Sequence, residues 1–265
     1  MKYKLFVSDF DGTLGQAPAD IEETTVQAVK EYINKGGKFV ICTGRMFHAI
    51  KPICDKYGLE GLVISYQGAT IDDLSTGKRI LEGGLDYNLA QQITKELLED
   101  GMPACVDLED VMYCEQESEY TDYHNTFTKV VKVKSLVDII LQKKKPVMKV
   151  VTTGLPDKIF ELTQKYAQKY QNKIIANNGS TRLLEIISPN YSKGSSVRYL
   201  SKHFNIPFEE IIAVGDSTND IELIKGEWHG VAVGDARQEL KAVAKEITLP
   251  FEQNPVKYLL EKYCI

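Results

Sequence analysis

Three short apolar runs, each followed at once by a cluster of polar side chains, constrain the fold of this 265-residue chain more than any other feature. The clusters combine acidic, hydroxyl and basic groups: Asp9 and Asp11 after Val7, Thr43-Gly44-Arg45 after Cys42, and Asp216 with Asn219 and Asp220 after Val214. Segments with helical spacing of apolar residues follow each run, which predicts an α/β fold with a parallel sheet wrapped by helices. Because ligands in open α/β sheets bind at the carboxyl ends of the strands, we expect the three clusters to form one site.

The pattern changes in the middle of the chain. Helical segments from Asn88 to Glu99, Ser135 to Lys144 and Leu155 to Tyr170 flank paired strand-like runs. The sequence Asn177-Asn178-Gly179-Ser180 predicts a turn between the last two of these runs. Paired strands of this kind predict an antiparallel α+β layer inserted into the first fold. We therefore expect a core formed by residues 1-82 and 188-265 and an α+β cap formed by residues 83-187.

Charge and cysteine content exclude several functional classes. The formal net charge of -5 argues against a general nucleic-acid or anionic-membrane binder, which would carry a basic excess. We expect no membrane span and no signal peptide, because no apolar run is long enough. The five cysteines are scattered and odd in number, which favours reduced thiols in a cytoplasmic protein over a disulfide framework or a zinc site.

The acidic residues of the clusters suggest metal-assisted chemistry. Asp9 and Asp11 lie two residues apart in an extended segment, so their side chains can face one site. Two close carboxylates repel each other unless a cation or a shared proton intervenes, and such a pair can bind a hard metal ion or divide the roles of nucleophile and acid/base. Asp216 would add a third carboxylate. The alternatives are a strand that ends in an acidic turn and, around Asp216, a loop rich in capping residues.

Two further residues suit an anionic ligand. The hydroxyl of Thr43 and the backbone amides beside it offer hydrogen bonds to an anion, and Lys193 offers a compact cation. The alternative for Thr43 is that it only caps the following helix, and the alternative for Lys193 is an ordinary surface lysine.

The stretch from Asp9 to Thr13, which reads Asp-Phe-Asp-Gly-Thr, resembles the first signature of the haloacid dehalogenase-like phosphatases. Thr43, Lys193 and the cluster from Asp216 to Asp220 resemble the other three signatures, in the same order. The long gap between Arg45 and Lys193 resembles the Cof-type subfamily, whose cap is inserted between the second and third signatures. The resemblance implies a Rossmann-like parallel sheet core with an inserted α+β cap that sets substrate specificity.

The resemblance also implies a role for each matching residue. Asp9 is the implied nucleophile and a metal ligand, and Asp11 is the implied acid/base, with its backbone carbonyl as another ligand. The residues implied to bind the phosphate are Thr43, Gly44, Lys193 and Asn219. Asp216 is implied to bind the metal directly, and Asp220, from the supporting shell, is also assigned to the metal site. The implied cofactor is Mg²⁺.

The function that follows from the resemblance is Mg²⁺-dependent hydrolysis of small phosphomonoesters, such as sugar phosphates, through an aspartyl-phosphate intermediate. The expected partner is a small-molecule phosphomonoester, and a monomer is compatible with the sequence. Two alternatives stay open at this point. One is a sugar phosphomutase of the same superfamily, and the other is a catalytically silent protein that binds a phosphometabolite and regulates a partner.

Two positions depart from the pattern of the family, and one segment has two interpretations. Gln67 stands where the family commonly has Asn, and Asp235 stands where it often has Asn. An extra carboxylate at Asp235 would disfavour a highly anionic substrate.

The acidic, tyrosine-rich segment from Asp107 to His124 is either a recognition surface for a substrate hydroxyl or amine, or a solvated strand edge protected by charge.

Overall fold

The computed structural model describes residues 1-16, 21-126 and 128-265, apart from the side chains of 178-180. The chain divides into two compact units, which we call the core unit (Met1–Leu81 and Ser192–Ile265) and the inserted unit (Glu82–Tyr191). The helices and strands follow one another in this order: β1 (Leu5–Asp9), α1 (Glu23–Asn34), β2 (Lys38–Cys42), α2 (Phe47–Tyr57), β3 (Leu62–Ser65), β4 (Thr70–Asp73), β5 (Arg79–Glu82), α3 (Tyr87–Glu99), β6 (Cys105–Leu108), β7 (Val111–Cys114), α4 (Glu119–His124), β8 (Lys129–Lys132), α5 (Leu136–Lys143), β9 (Lys149–Thr153), α6 (Pro156–Lys169), β10 (Ile175–Ser180), β11 (Leu183–Ile187), α7 (Lys193–Phe204), β12 (Ile211–Gly215), α8 (Ile221–Ile224), β13 (His229–Ala232), α9 (Gln238–Lys241), β14 (Glu246–Ile247) and α10 (Pro255–Tyr263).

The described residues of the core unit form a sheet with the strand order β14-β13-β12-β1-β2-β3-β4-β5. The pairs from β14 to β3 are parallel, and β4 turns back antiparallel to β3. The central strands β1 and β12 are buried along their whole length, as expected for strands covered by helices on both faces. The predicted α/β fold with a parallel sheet is confirmed. It places the ends of β12, β1, β2 and β3 side by side.

The inserted unit has its own sheet and its own apolar core. The strand order among its described residues is β10-β11-β9-β6-β7-β8, antiparallel except for the β7–β8 pair. Apolar side chains of α3, α5 and α6 pack with one face of this sheet, including Ile93, Ile140, Leu162, Val150 and Leu184. The opposite face carries a smaller apolar cluster and the charged side chains of Asp107, Lys149 and Glu185.

Two expectations for the inserted unit are wrong. Residues 177-180 lie within β10, so the turn falls after them, at Thr181 and Arg182. The pairing of β10 with β11 shifts register between Asn177 and Ser180, so the turn-forming residues occur at an irregularity inside the strand. The segment that begins at Asp107 is not a solvated strand edge, because β6 and β7 lie inside the sheet and Asp107 is fully buried.

Two observations concern the cysteines and the helices. All five cysteines are free and buried. Within the described ranges, no helix combines the length and the apolar character that crossing a membrane requires.

Candidate active site

The sheet topology of the core unit brings the predicted polar clusters to one edge. Asp9 ends β1, Thr43 follows β2, and Asp216 follows β12, and these three strands are neighbours in the order β12-β1-β2. The paired residues Asp9 and Cys42 show that β1 and β2 end at the same level. The short apolar strands therefore deliver their polar termini to one place, as the doubly wound pattern requires.

Lys193 lies at the centre of this site and is not a surface lysine. Its ammonium donates to Oδ1 of Asp9 and to Oδ1 of Asp220, each at 2.5 Å, and its side chain is only 1% exposed. Lys193 is the first residue of α7, which Ser192 and Ser195 cap reciprocally. The capping box fixes where the helix begins and hence where the buried ammonium lies.

Asp9, Asp216 and Asp220 form a set of converging carboxylates. One oxygen from each lies within 4.8 Å of the corresponding oxygens of the other two. Oδ1 of Asp216 is buried and has no hydrogen-bond donor among the described residues. A buried carboxylate oxygen without a donor, beside two further carboxylates, is the hard-oxygen environment that suits Mg²⁺. The residues present therefore fit the predicted metal.

Gly12 allows Asp216 to approach the loop that follows Asp9. A Cβ atom at Gly12 would lie 2.7 Å from Oδ2 of Asp216, and the φ angle of Gly12 is +77°. Both the close contact and the left-handed backbone require glycine at this position. The glycine of the Asp-Phe-Asp-Gly-Thr stretch therefore has a local reason in the packing of two loops.

Asp220 supports the loop that carries Asp216. Its Oδ2 accepts hydrogen bonds from the backbone N–H groups of Asp216 (3.2 Å) and Ser217 (3.1 Å), while its Oδ1 accepts from Lys193. Both oxygens of Asp220 are thus engaged within the protein. This arrangement suits a residue that holds Lys193 and Asp216 in place better than one whose oxygens are free for a direct ligand.

Asp11 lies beside the site, but its carboxylate is outside the converging set. Arg45 binds both oxygens of Asp11, through Nε at 2.9 Å and a terminal nitrogen at 2.7 Å. The guanidinium also lies over the ring of Phe10, 5.7 Å from its centre. Arg45 belongs to the cluster after β2, but sequence reasoning did not include its side chain in the site. The strand-end position was the available signal.

Thr43 does not cap the helix that follows it. The helix α2 begins at Phe47 with Met46 as its N-cap, and no side chain caps it. The Thr43 hydroxyl accepts instead from the backbone N–H of Arg45 at 3.1 Å, which leaves its own hydrogen available to donate. The backbone N–H of Gly44 donates to no described group. Both groups remain available to an anion.

Asn219 and Gln67 meet on the other side of this loop. The amide of Asn219 donates to Oε1 of Gln67 at 3.5 Å, and Asn219 is exposed. Sequence reasoning noted Gln67 only as a departure from the family pattern. Gln67 lies two residues after the end of β3, and β3 is the neighbour of β2 in the sheet. This strand-end position was a signal from which the residue could have been assigned to the site.

Burial and crowding shift the ionisation of the central groups. Burial raises the pKa of Asp9 well above its usual range, against the opposing effect of Lys193 and with a further rise from Asp220. Burial and the charge of Asp220 raise the pKa of Asp216 to about 6. Burial alone would lower the pKa of Lys193, but Asp220 and Asp9 outweigh it and hold that pKa above its usual range. The raised pKa values of Asp9 and Asp216 therefore indicate that one ammonium does not fully compensate the charges of three ionised carboxylates.

Comparison with known proteins identifies the family. A sequence model of the haloacid dehalogenase-like hydrolases matches residues 6-260. A Bacillus subtilis protein named 5-amino-6-(5-phospho-D-ribitylamino)uracil phosphatase is 24% identical over 284 residues, with 98% of this chain and 97% of the relative covered. A crystal structure of a Thermotoga maritima protein is 25% identical, covers 98% of this chain and 97% of its own, and superimposes with a TM-score of 0.88.

Another similar protein is longer than this chain. An Arabidopsis thaliana protein named a chloroplastic endoribonuclease is 27% identical over 278 residues, which is 99% of this chain but 47% of that protein. The chain thus spans about half the length of this relative, so the name describes a larger molecule. Since the family model covers nearly the whole sequence and the resemblance noted in the motifs is confirmed, this chain belongs to the haloacid dehalogenase-like hydrolases.

Proposed function

We propose that this protein is a Mg²⁺-dependent phosphatase that hydrolyses small phosphomonoesters through an aspartyl-phosphate formed on Asp9. The observation that carries the proposal is the environment of Asp9. Its carboxylate lies at a strand end, one oxygen is held by the buried Lys193, and two further carboxylates converge on it. The phosphatase named among the relatives acts on a small phosphorylated compound, which supports the same substrate class.

In this proposal Asp9 acts as the nucleophile. Lys193 fixes Oδ1, and no described residue donates a hydrogen bond to the other oxygen, which is the one that attacks phosphorus. The new bond joins this oxygen to phosphorus, and the bond from phosphorus to the leaving alcohol breaks. Positioning is a large part of catalysis of phosphoryl transfer, so the hydrogen bond from Lys193, which fixes the direction of the Asp9 carboxylate, contributes to the rate.

Asp11 acts as the acid and then as the base. It gives a proton to the leaving oxygen, and afterwards takes a proton from the water that attacks the phosphorus and releases Asp9. Arg45 binds both oxygens of Asp11 in the structure, so Asp11 must give up at least one of these hydrogen bonds to reach the leaving group. The pair thus couples the orientation of the acid/base to Arg45.

The phosphoryl oxygens would lie among the donors on the other side of the site. Thr43, Gly44, Asn219 and Lys193 all offer N–H or O–H groups there. Asp9 and Asp216 would hold the metal ion, with the backbone carbonyl of Asp11 as a further ligand and with Asp220 supporting Asp216. When bound, Mg²⁺ supplies positive charge that stabilises the anionic oxygens of the transferring group.

We propose that the inserted unit acts as a cap that sets substrate specificity.

Asp235, in the core unit, also bears on the choice of substrate. It is exposed, and its Oδ1 accepts a hydrogen bond from the backbone N–H of Phe251 at 3.1 Å. Its charge contributes to the raised pKa of Asp216. Because Asp235 is negatively charged, we expect it to disfavour highly anionic substrates.

We also propose a cytoplasmic location, with which the free, buried thiols are compatible.

The substitution Asp9→Asn tests the assignment of the nucleophile. We expect turnover of an aryl phosphate in the presence of Mg²⁺ to fall by at least about 10³-fold, because an amide cannot form the covalent intermediate. Asp55→Asn is the matched control, since Asp55 is exposed on α2 and its carboxylate forms an ion pair with Lys51. Undiminished turnover by Asp9→Asn, with the control unchanged, would remove Asp9 from this role.

The products distinguish the proposed phosphatase from the two alternatives. Incubation with a hexose 1-phosphate should release inorganic phosphate. An isomerised sugar phosphate without free phosphate would indicate a mutase. A panel of phosphomonoesters from which no phosphate is released, with or without Mg²⁺, would favour the silent regulator.

A further inference from the structure

We propose that Gln67 is a phosphate-binding residue, whose side-chain amide donates to the phosphoryl group and links Gly44 to Asn219. This inference rests on the proposed function and gives a role to a residue that the resemblance to the family left without one. It follows from the backbone of Gln67, from the position of its carboxamide and from the hydrogen-bond donors that remain unused around it.

The backbone at Gln67 is unusual and firmly held. Tyr66 and Gln67 have φ angles of +50° and +58°, so two consecutive residues other than glycine adopt the left-handed region. Their N–H groups donate to the carbonyl oxygens of Arg45 and Thr43, each at 3.1 Å. The turn after β3 is therefore bound to the loop that carries Thr43 and Gly44. Strain of this kind persists where the surrounding structure enforces it, commonly at functional sites.

The side chain of Gln67 lies against Gly44. A Cβ atom at Gly44 would be 2.5 Å from Nε2 of Gln67 and 3.1 Å from its Cδ. The carboxamide therefore occupies the space that any larger residue at position 44 would need. On its other side, Oε1 accepts the hydrogen bond from Asn219. The carboxamide thus lies between two residues that the motifs assign to phosphate.

The donors around this carboxamide have no acceptor within the described part of the chain. Nε2 of Gln67 carries two N–H bonds and makes no hydrogen bond there, and neither does the backbone N–H of Gly44. Gln67 is half-buried, so water competes only partly for these groups. Adjacent N–H groups without acceptors, on the loops that follow β2 and β3, form a site for an anion.

The side chain of Gln67 is longer than that of the residue common at this position in the family. Asparagine, the common residue at this position in the family, is shorter by one methylene group. From the same backbone it would reach less far across Gly44 towards Asn219. The glutamine therefore extends a polar contact between the loops after β2 and β12, and the extension brings its N–H donors with it.

The test measures inorganic phosphate binding directly and through turnover. Binding of inorganic phosphate in the presence of Mg²⁺ is measured by calorimetry for the wild type, Gln67→Glu and Gln67→Asn. We expect Gln67→Glu to weaken phosphate binding by about tenfold or more, because it replaces an amide that carries two N–H donors with a negatively charged carboxylate of the same shape. Gln67→Asn should weaken it less, because the amide remains but is withdrawn. Gln27→Glu, at an exposed position of α1, is the control for added charge.

Turnover shows which part of the substrate Gln67 touches. If it binds the phosphoryl group, Gln67→Glu should raise KM by a similar factor for an aryl phosphate and for a hexose phosphate. Unchanged phosphate binding by Gln67→Glu, or KM changes confined to one leaving group, would overturn the inference. If the wild-type protein released no phosphate from these substrates, the proposed function would be refuted. The calorimetric comparison would still decide whether Gln67 binds phosphate.

Discussion

Each unit of this protein contains a buried cluster of charges organised around one lysine, and the two clusters differ in a way that bears on function. In the core unit, Lys193 binds Asp9 and Asp220 at 2.5 Å each. In the inserted unit, Lys149 lies 3.0 Å from Glu185 and 3.7 Å from Asp107. Burial raises the pKa of Asp107 to about 6, as burial does for Asp216 in the core unit.

The difference lies in the third carboxylate. In the core unit, Asp216 adds an oxygen without a donor next to two others, and this is the one group of metal-ligating side chains that converges within the described residues. In the inserted unit, the oxygens of Asp107 also have no hydrogen-bond donor among the described residues, but the neighbouring Glu185 is partly exposed, and no set of three converging carboxylates forms in the described part of this unit. Buried charge alone therefore does not indicate a metal site, whereas several ligand atoms that converge on one point do indicate one.

The largest effect expected for this comparison separates the two lysines. Lys193→Met should reduce turnover of an aryl phosphate by about 10²–10³-fold, the typical cost of removing one pre-positioned donor. It should also destabilise the protein by about 3–5 kcal/mol, because two buried carboxylates lose their partner. Lys149→Met should destabilise it less, since Glu185 reaches solvent. Turnover and urea unfolding of both variants give the two quantities.

The comparison would fail if both variants lost turnover equally while remaining folded. That result would give the inserted cluster a direct part in the reaction. Circular dichroism at the assay temperature establishes that each variant is folded before its turnover is interpreted.

Much of this architecture could be predicted from the sequence, because the core strands are short, apolar and closed by polar clusters. That pattern was sufficient to predict that Asp9, Thr43 and Asp216 belong at one edge of a sheet. Packing determined the rest. The burial of Lys193 depends on where α7 begins relative to β1, and no local pattern distinguishes it from an exposed lysine.

The inserted unit was harder to predict because its local signals are ambiguous. Asn177 and the three residues after it have the composition of a turn, but they extend β10. Asp107 lies in a segment whose acidic and aromatic composition suggests a solvated edge, but its strand β6 lies between β7 and β9, and its side chain is buried. In both cases strand pairing across the sheet overrides the intrinsic preference of the residues.

The second prediction concerns Mg²⁺ itself. Addition of Mg²⁺ should raise the thermal midpoint of the wild type, because an ion that binds only the folded state stabilises it. Asp216→Asn should remove most of this increase, since it replaces a carboxylate of the converging set. Asp107→Asn should retain it, although both substitutions remove a buried carboxylate. A retained increase in Asp216→Asn, measured by thermal unfolding with EDTA and with excess Mg²⁺, would contradict the metal assignment.

The smallest expected effect is a dependence of stability on pH in the absence of divalent ions. The pKa of Asp107 is about 6 in the folded protein and 3.8 as a free side chain, so the folded state binds more protons than the unfolded state between these values. Its contribution to stability is therefore complete below about pH 4 and declines as pH rises through 6, by up to about 3 kcal/mol. Asp216, whose pKa in the folded protein is also about 6, should add a decline of the same sign.

The two contributions can be separated with the metal. Mg²⁺ binds ionised carboxylates, so it should offset the decline due to Asp216 above pH 6 and leave the decline due to Asp107 in place. Urea unfolding from pH 4 to pH 8, with EDTA or with Mg²⁺, measures both. In Asp107→Asn the part that Mg²⁺ does not offset should disappear. If Mg²⁺ instead abolished the whole decline in the wild type, the inserted cluster would respond to the ion as the core cluster does, and the distinction between them would be wrong.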